Sequence, residues 1–540
     1  MTSVLFGLRL GRWGVLGFSI AAIASVFIQT VGYYQIAGHS PADHAAFGAA
    51  ITTLAAQLVA LFPAPVRPDT VGGYVEFRGF HPLAILFAVW ALVSSTGFAR
   101  GDEERGIVEA SLATGTTRVG LVASRAVAFA VGLIMAALAA GAGYVLGVSA
   151  DRESVAIGRV LEESALLVAI GLACYGIGLL VAQLSPARSA TAAAGGVLLA
   201  LFLVNSLSRV LDWLTAWRWL SPFRYYDLSQ PLPTGGSFDI RGFAALLAIA
   251  VAMTGAAALA FAYRDLGSAL IAVPAKPRPQ SHAPSANPLW RIAVVRGVYE
   301  GRFGLLAWSL GVAAVAAGFA LLTRTVVNVM LQLPTLLPYL SIFVHQRLYP
   351  AVLGYTYFNV AQLLFAALAI AHVARWSAED VSGRLEIALS QPYSRAAVVV
   401  ERVAVLTAVG LVVTAASGVT LGLMSHYEGI DLDTGRLAAA SLMLVPFALV
   451  FATAGALLAG WNPRAAVGLL GAFAFASYLD TELATVFKLP AWVQDLSAFK
   501  LFGTPLLDGI DGRNLALTIA LAVLGLASSI LLMQRRDVGA

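Results

Sequence analysis

Twelve long apolar runs constrain this chain of 540 residues more than anything else in it. The first six are Val15–Ile36, Pro82–Ala99, Val119–Val148, Ser164–Leu184, Ser189–Leu207 and Gly242–Tyr263. The second six are Phe303–Thr323, Leu353–Ala374, Ala396–Met424, Leu437–Leu458, Ala465–Leu479 and Leu515–Met533. At 1.5 Å of rise per residue, about 20 apolar residues cross the hydrocarbon layer of a bilayer. The expected fold is therefore all-α, a polytopic membrane protein with 12 transmembrane helices. Composition agrees, because 59% of the residues are hydrophobic and only 12% charged, against about 25% charged in soluble domains. A soluble enzyme, a disordered chain and a nucleic-acid-binding domain are excluded, and no nucleic-acid partner is expected.

A thirteenth run, Ala45–Pro63, carries Thr52, Thr53 and Gln57 and ends in prolines. It is read as an interfacial or re-entrant helix. Charge placement supports that reading. With the N-terminus in the cytoplasm and twelve spans alternating, 20 of the 34 Lys and Arg but only 11 of the 29 Asp and Glu fall inside. Basic residues concentrate on the cytoplasmic side of membrane proteins, and a thirteenth span would reverse the bias. Both termini are thus expected in the cytoplasm. Arg9 and Arg12 precede the first run with no small-residue cleavage site after it, so it reads as a retained span rather than a signal peptide. The one cysteine, Cys174, excludes a disulfide within the chain and a cysteine metal site.

The centre of the chain, Pro274–Pro288, holds five prolines in fifteen residues, a composition suited to an extended linker. It separates two six-span halves, residues 1–265 and 301–540, with 266–300 as a cytoplasmic connection. The halves repeat. Gly106, Glu109, Leu112, Arg118, Val122 and Arg125 recur 277 residues later as Gly383, Glu386, Leu389, Arg395, Val399 and Arg402. Random matching over twenty positions would give about one or two identities, so the repeat is real. Pro186 and Pro463 keep the same offset. Gly11-Arg12 and Gly301-Arg302 open the first spans, and Phe223-Arg224 and Phe499-Lys500 occupy matching outer loops. Six spans per half give the halves parallel, pseudo-symmetric topology.

The repeated element, Arg100–Arg118 and Arg375–Arg395, follows the second span of each half. Ile107, Ala110 and Leu112 supply apolar side chains in the first copy, and Glu103, Glu104 and Glu109 supply charge. In the second, Leu385, Ala388 and Leu389 lie opposite Glu386. Each pattern predicts a short amphipathic helix beside the membrane. A loop that only closes a turn has no reason to keep Gly, Glu and Arg at one spacing.

The motif E-x-G-x-x-E-x-x-L…R, here Glu104, Gly106, Glu109, Leu112 and Arg118, resembles the cytoplasmic coupling loop of ABC-2-type exporter permeases. The fused twelve-span form with a Pro-rich centre resembles bacterial inner-membrane permeases that export polyketide or tetronasin-type antibiotics. The second loop departs at Ser382, where the first has Arg105, and at Pro392-Tyr393, where the first has Gly115-Thr116. The resemblance implies a permease that is not itself an enzyme and binds no cofactor. Two copies of a cytoplasmic ATPase, carrying ATP and Mg, would dock on the loops. One contact would use Glu104, Arg105, Gly106, Glu109, Leu112 and Arg118, the other Gly383, Glu386, Leu389 and Arg395. The resemblance also implies that the second and fifth spans of each half line a cavity. The candidates there are Phe87, Trp90, Phe202, Asn205, Phe358, Asn359, Gln362, Phe473 and Tyr478.

No G-x-x-x-x-G-K-[ST] occurs, so the chain lacks that phosphate cradle. The seven histidines are scattered, and no metal site is expected. Glu162-Glu163 reads as a solvated rim outside the fourth span. Trp213, Trp217, Trp219, Tyr225, Tyr226 and Trp492 read as an aromatic belt. With no ionisable residue in the middle third of any span, an amphipathic or hydrophobic cargo in contact with lipid is expected. The alternative class is an ion-gradient-driven secondary transporter with twelve spans; a third is a membrane scaffold or enzyme without transport.

Overall fold

A computed structural model describes residues 2–38, 40–57, 59, 63–151, 154–270, 288–331, 348–486, 490–494 and 497–536. The linker Pro274–Pro288 lies, apart from Pro288, outside the described residues. All helices and no strand form the regular structure among those residues. Two compact units divide the chain near its middle.

The first unit holds α1 (Thr2–Ile36), α2 (Pro41–Gln57), α3 (Val71–Glu104), α4 (Ile107–Ala113), α5 (Arg118–Ala150), α6 (Ile157–Leu184), α7 (Ala190–Leu207), α8 (Pro222–Tyr226) and α9 (Ile240–Tyr263). The second holds α10 (Ala293–Glu300), α11 (Arg302–Leu331), α12 (Leu348–Val381), α13 (Arg384–Leu389), α14 (Arg395–Tyr427), α15 (Thr434–Trp461), α16 (Pro463–Val486), α17 (Ala498–Phe502) and α18 (Gly512–Arg535). Eleven described helices are long and apolar enough to cross a membrane, so the chain is an all-α polytopic membrane protein. The segment Ala465–Leu479 lies in α16, between Arg464 and Asp480. Its apolar length is about 22 Å, against about 30 Å of hydrocarbon. Ala45–Pro63 falls on α2, which has 17 residues; the rest of that run lies largely outside the described residues.

In each unit the fourth long helix, α6 or α15, is the central one. It packs against the second (α3 or α12) and the last (α9 or α18). Small residues allow close approach in the first unit. α1 lies along α5, and a Cβ on Gly143 would sit 2.4 Å from the carbonyl oxygen of Ile23. Only glycine permits that contact, a common device where helices meet in lipid. α3 starts eleven residues before the expected span and carries two π-helical turns, Glu76–Phe80 and Gly97–Gly101. In the second unit the helical stretch before the first span breaks at Gly301, which separates α10 from α11; in the first, α1 runs unbroken through Gly11.

Candidate coupling loops

The loops after α3 and α12 fold alike. Gly106 has φ 71° and Gly383 φ 74°, the left-handed region that only glycine enters without penalty. Each ends the long helix and starts the short one, α4 or α13. Val108 and Leu385, at equivalent positions, are the buried anchors of these helices. Leu112 and Leu389, one turn on, are half-buried, Leu112 against the core of its unit and Leu389 against a small cluster of Leu385, Val398, Val399 and Met533. The inward face of the first helix is therefore Val108 and Leu112, not Ile107 and Ala110. Thr117 and Ser394 then cap α5 and α14, accepting hydrogen bonds from Gly120 N–H (3.0 Å) and Ala397 N–H (3.1 Å).

The duplicated arginines that follow bind their own chain. Arg118 Nη1 donates to the carbonyls of Phe261 (3.0 Å) and Arg264 at the end of α9. Arg395 Nη1 donates to those of Gln534 (3.2 Å) and Arg536 (2.5 Å) at the end of α18. The last carbonyls of a helix lack intrahelical partners and attract positive charge, so each arginine caps the final helix of its unit.

Ion pairs, the best enclosed of them in the first unit, tie the same ends together. Asp102 meets Arg125 at 3.0 Å and Arg105 at 2.7 Å. Glu103 meets Arg264 at 2.7 Å and Arg100 at 3.2 Å, and it accepts from Gly267 N–H at 2.6 Å. Arg100 also donates to the Ala182 carbonyl at the end of α6 (2.9 Å). In the second unit Glu379 meets Arg402 at 2.9 Å, and Asp380 meets Arg536 at 2.5 Å. Arg536 also reaches the Ala459 carbonyl (3.3 Å), which is Ala182 displaced by the same 277 residues. Glu103 is thus a buried ion-pair partner rather than a charge on the loop's face. Identity matching misses these acids because Asp102-Glu103 and Glu379-Asp380 exchange types.

What the loops leave exposed is Glu104, Gly106 and Glu109 in the first, and Glu386 in the second with Gly383 half-buried. Arg105 is exposed but engaged by Asp102. Ile387, 70% exposed, adds an apolar side chain beside Glu386. Tyr393 donates to Glu401; partial burial first, and then that carboxylate, push its phenol up to about 12. A cavity of about 590 Å³ lies beside the second loop, lined in part by Arg375, Glu379, Arg384, Glu401 and Arg402.

The residues expected around a transport cavity lie mostly in helix packing. Phe87 and Trp90 are buried, and Phe18 stacks on Trp90 at 4.4 Å. Phe202 meets Phe223 edge-on at 5.3 Å, and Tyr478 meets Phe499 in the same way at 5.6 Å. Asn205 donates to Asp227 Oδ2 at 2.7 Å. Phe358 is buried on Phe502, and Gln362 donates to the Phe358 carbonyl. Asn359 has a partner of its own, and Phe473 is 41% exposed beside Phe451. Four cavities within the units are lined by other residues.

Two rim assignments are overturned. Glu163 is fully buried, and Tyr226 is buried against it rather than lying in an aromatic belt. Trp213, Trp217 and Trp219 are exposed as a belt requires; the side chain of Trp492 lies outside the described residues.

The family described as "Multidrug efflux system permease Rv1217c, C-terminal domain" matches residues 69–262 and 299–532. No curated protein matches the chain. The two matched stretches make up well over half of the sequence and hold both loops. The chain belongs to this family of multidrug efflux permeases, as a multi-pass membrane protein.

Proposed function

We propose that the chain is the permease subunit of an ATP-driven ABC-2-type exporter. It would pass amphipathic or hydrophobic small molecules, antibiotics among them, out through the bacterial inner membrane. Two copies of a separate ATPase, holding ATP and Mg, would dock on α4 and α13. The observation that carries this reading is the shared construction of the two loops. Each presents an exposed glutamate on a short helix whose base is held by ion pairs to the ends of the surrounding long helices. A push on such a helix passes to several membrane helices at once, as coupling requires. Charge on the exposed face sets which partner surface fits. Glu104, Glu109 and Glu386 would face the partner, with Ile387 as an apolar anchor. Leu112, Leu389, Arg118 and Arg395 would set the helices rather than touch the ATPase.

The test is co-purification of the ATPase with Glu109→Arg and Glu386→Arg, together with drug accumulation in cells. Both variants should insert at normal levels and lose the ATPase or uncouple its hydrolysis from export. The purified chain alone should hydrolyse no ATP. Normal export and normal co-purification in both variants would reduce the loops to turn closures.

A further inference from the structure

At the end of the first unit remote from α4, four polar side chains are buried together. Glu76 is 1% exposed, His81 4%, Glu163 0% and Tyr226 2%. Tyr226 Oη donates to Glu163 Oε1 at 2.7 Å. Glu76 Oε2 accepts from Leu232 N–H at 3.1 Å. His81 Nδ1 bonds the Glu76 main-chain carbonyl at 2.8 Å. The other oxygens, Glu76 Oε1 and Glu163 Oε2, have no donor among the described residues, and neither has His81 Nε2 a partner. The two carboxyl groups lie side by side.

The second unit shows what this place in the fold requires. Counting 277 residues on from Glu76, His81 and Glu163, and 276 from Tyr226, gives Leu353, Phe358, Ala440 and Phe502. All four are buried and apolar. Phe358 and Phe502 even keep the ring contact, at 5.9 Å against 5.5 Å for His81 and Tyr226. Packing here is therefore achieved without polar groups. Two unneutralised carboxylates at the same place oppose folding, and ionisable groups enclosed within membrane helices mark function.

We propose that Glu76 and Glu163 form a proton-binding site, in which the two carboxyl groups hold one proton between them at neutral pH. Two carboxylates in contact in a buried site cannot both be ionised. A proton held by the pair supplies a donor where none is present among the described residues. A metal ion fits less well, because no three metal-ligating side chains come together among the described residues. The nearby charges leave the pair without a counter-ion. Arg209 is spent on Asp227, which also holds Asn205. Arg159 is spent on the carbonyls of Pro231 and Gly236. Arg78 is exposed and Glu162 half-buried. At alkaline pH the proton leaves to solvent, and two adjacent carboxylates remain. Their repulsion acts on the bonds from Tyr226 and Leu232, which join the segment 226–232 to α3 and α6. The site thus makes the first unit responsive to pH at a place where the second carries no titratable side chain.

The experiment uses the full chain in lipid nanodiscs and needs no ATPase, so its failure is separate from failure of the ATP-driven reading. Infrared difference spectra in water and heavy water should show a protonated carboxylic acid at neutral pH. That band should shift in Glu76→Gln and in Glu163→Gln, as the shared proton passes to a single carboxyl, vanish in the double variant Glu76→Gln/Glu163→Gln, and stay unchanged in Glu162→Gln. The wild-type thermal midpoint should fall as pH rises, because the folded chain holds a proton that the unfolded chain has released. The double variant Glu76→Leu/Glu163→Ala, copying the second unit, should fold and lose that dependence. A wild-type spectrum with no protonated carboxyl, or a band unchanged in the double Gln variant, would overturn the proposal.

Discussion

Asp102 and Glu379 occupy equivalent places and face different surroundings. The Asp102 side chain is 10% exposed and that of its partner Arg125 8%, whereas Glu379 is 41% exposed. Removing one member of a buried pair strands the other charge and costs about 3–5 kcal/mol. An exposed pair contributes about 0–1 kcal/mol. Asp102→Ala should therefore lower the unfolding free energy in detergent by about 3 kcal/mol, and Glu379→Ala by less than about 1 kcal/mol. Equal losses would mean that the two loops are fastened alike. Glu103 and Glu109 teach the same lesson within one loop. They are six residues apart, yet one is locked to Arg264 and the other is free for a partner.

The elements α4 and α13 depend on a left-handed residue at their start. Alanine at Gly106 or Gly383 would cost about 1–2 kcal/mol of backbone strain. Open space surrounds both positions, so the cost is conformational and not a clash. Each variant should melt modestly earlier while the long helices stay intact by circular dichroism. On the proposed ATP-driven reading, coupling to the ATPase should suffer more than stability, because the short helix loses its angle. Gly143 is the contrasting case, since a Cβ there would strike the Ile23 backbone of α1. Gly143→Ala should cost about 1–3 kcal/mol through overpacking, read as a lowered thermal midpoint. The same substitution at Gly196, with open space around it, should not.

At the scale of the whole molecule, sidedness can be tested directly. With Cys174 replaced by alanine, single cysteines at Thr114 and Ser390 should label only from the cytoplasm. Cysteines at Asp212 and Asp431 should label only from outside. All four positions are exposed. Labelling of a loop position and an outer position from the same side would refute the charge-based topology.

The membrane class, most of the long helices and the repeat in the two loops were legible in the amino-acid sequence alone. Each is a one-dimensional property: an apolar run is long enough or it is not, and identities at a constant offset can be counted. Rotation about each helix axis was not legible. A run that is apolar on every side does not encode which face meets a neighbour, so the packing of Phe87 and Trp90 on Phe18 could not be read from it. The fastening of the loops was hidden for a related reason. Asp102 finds Arg125, and Glu103 finds Arg264, 161 residues away, only when α3, α5 and α9 end side by side. Glu163 looked like a solvated rim because Glu162 is next to it. Tertiary packing alone enclosed it, by setting α3, α6 and α8 so that Glu76, His81 and Tyr226 close around one buried point.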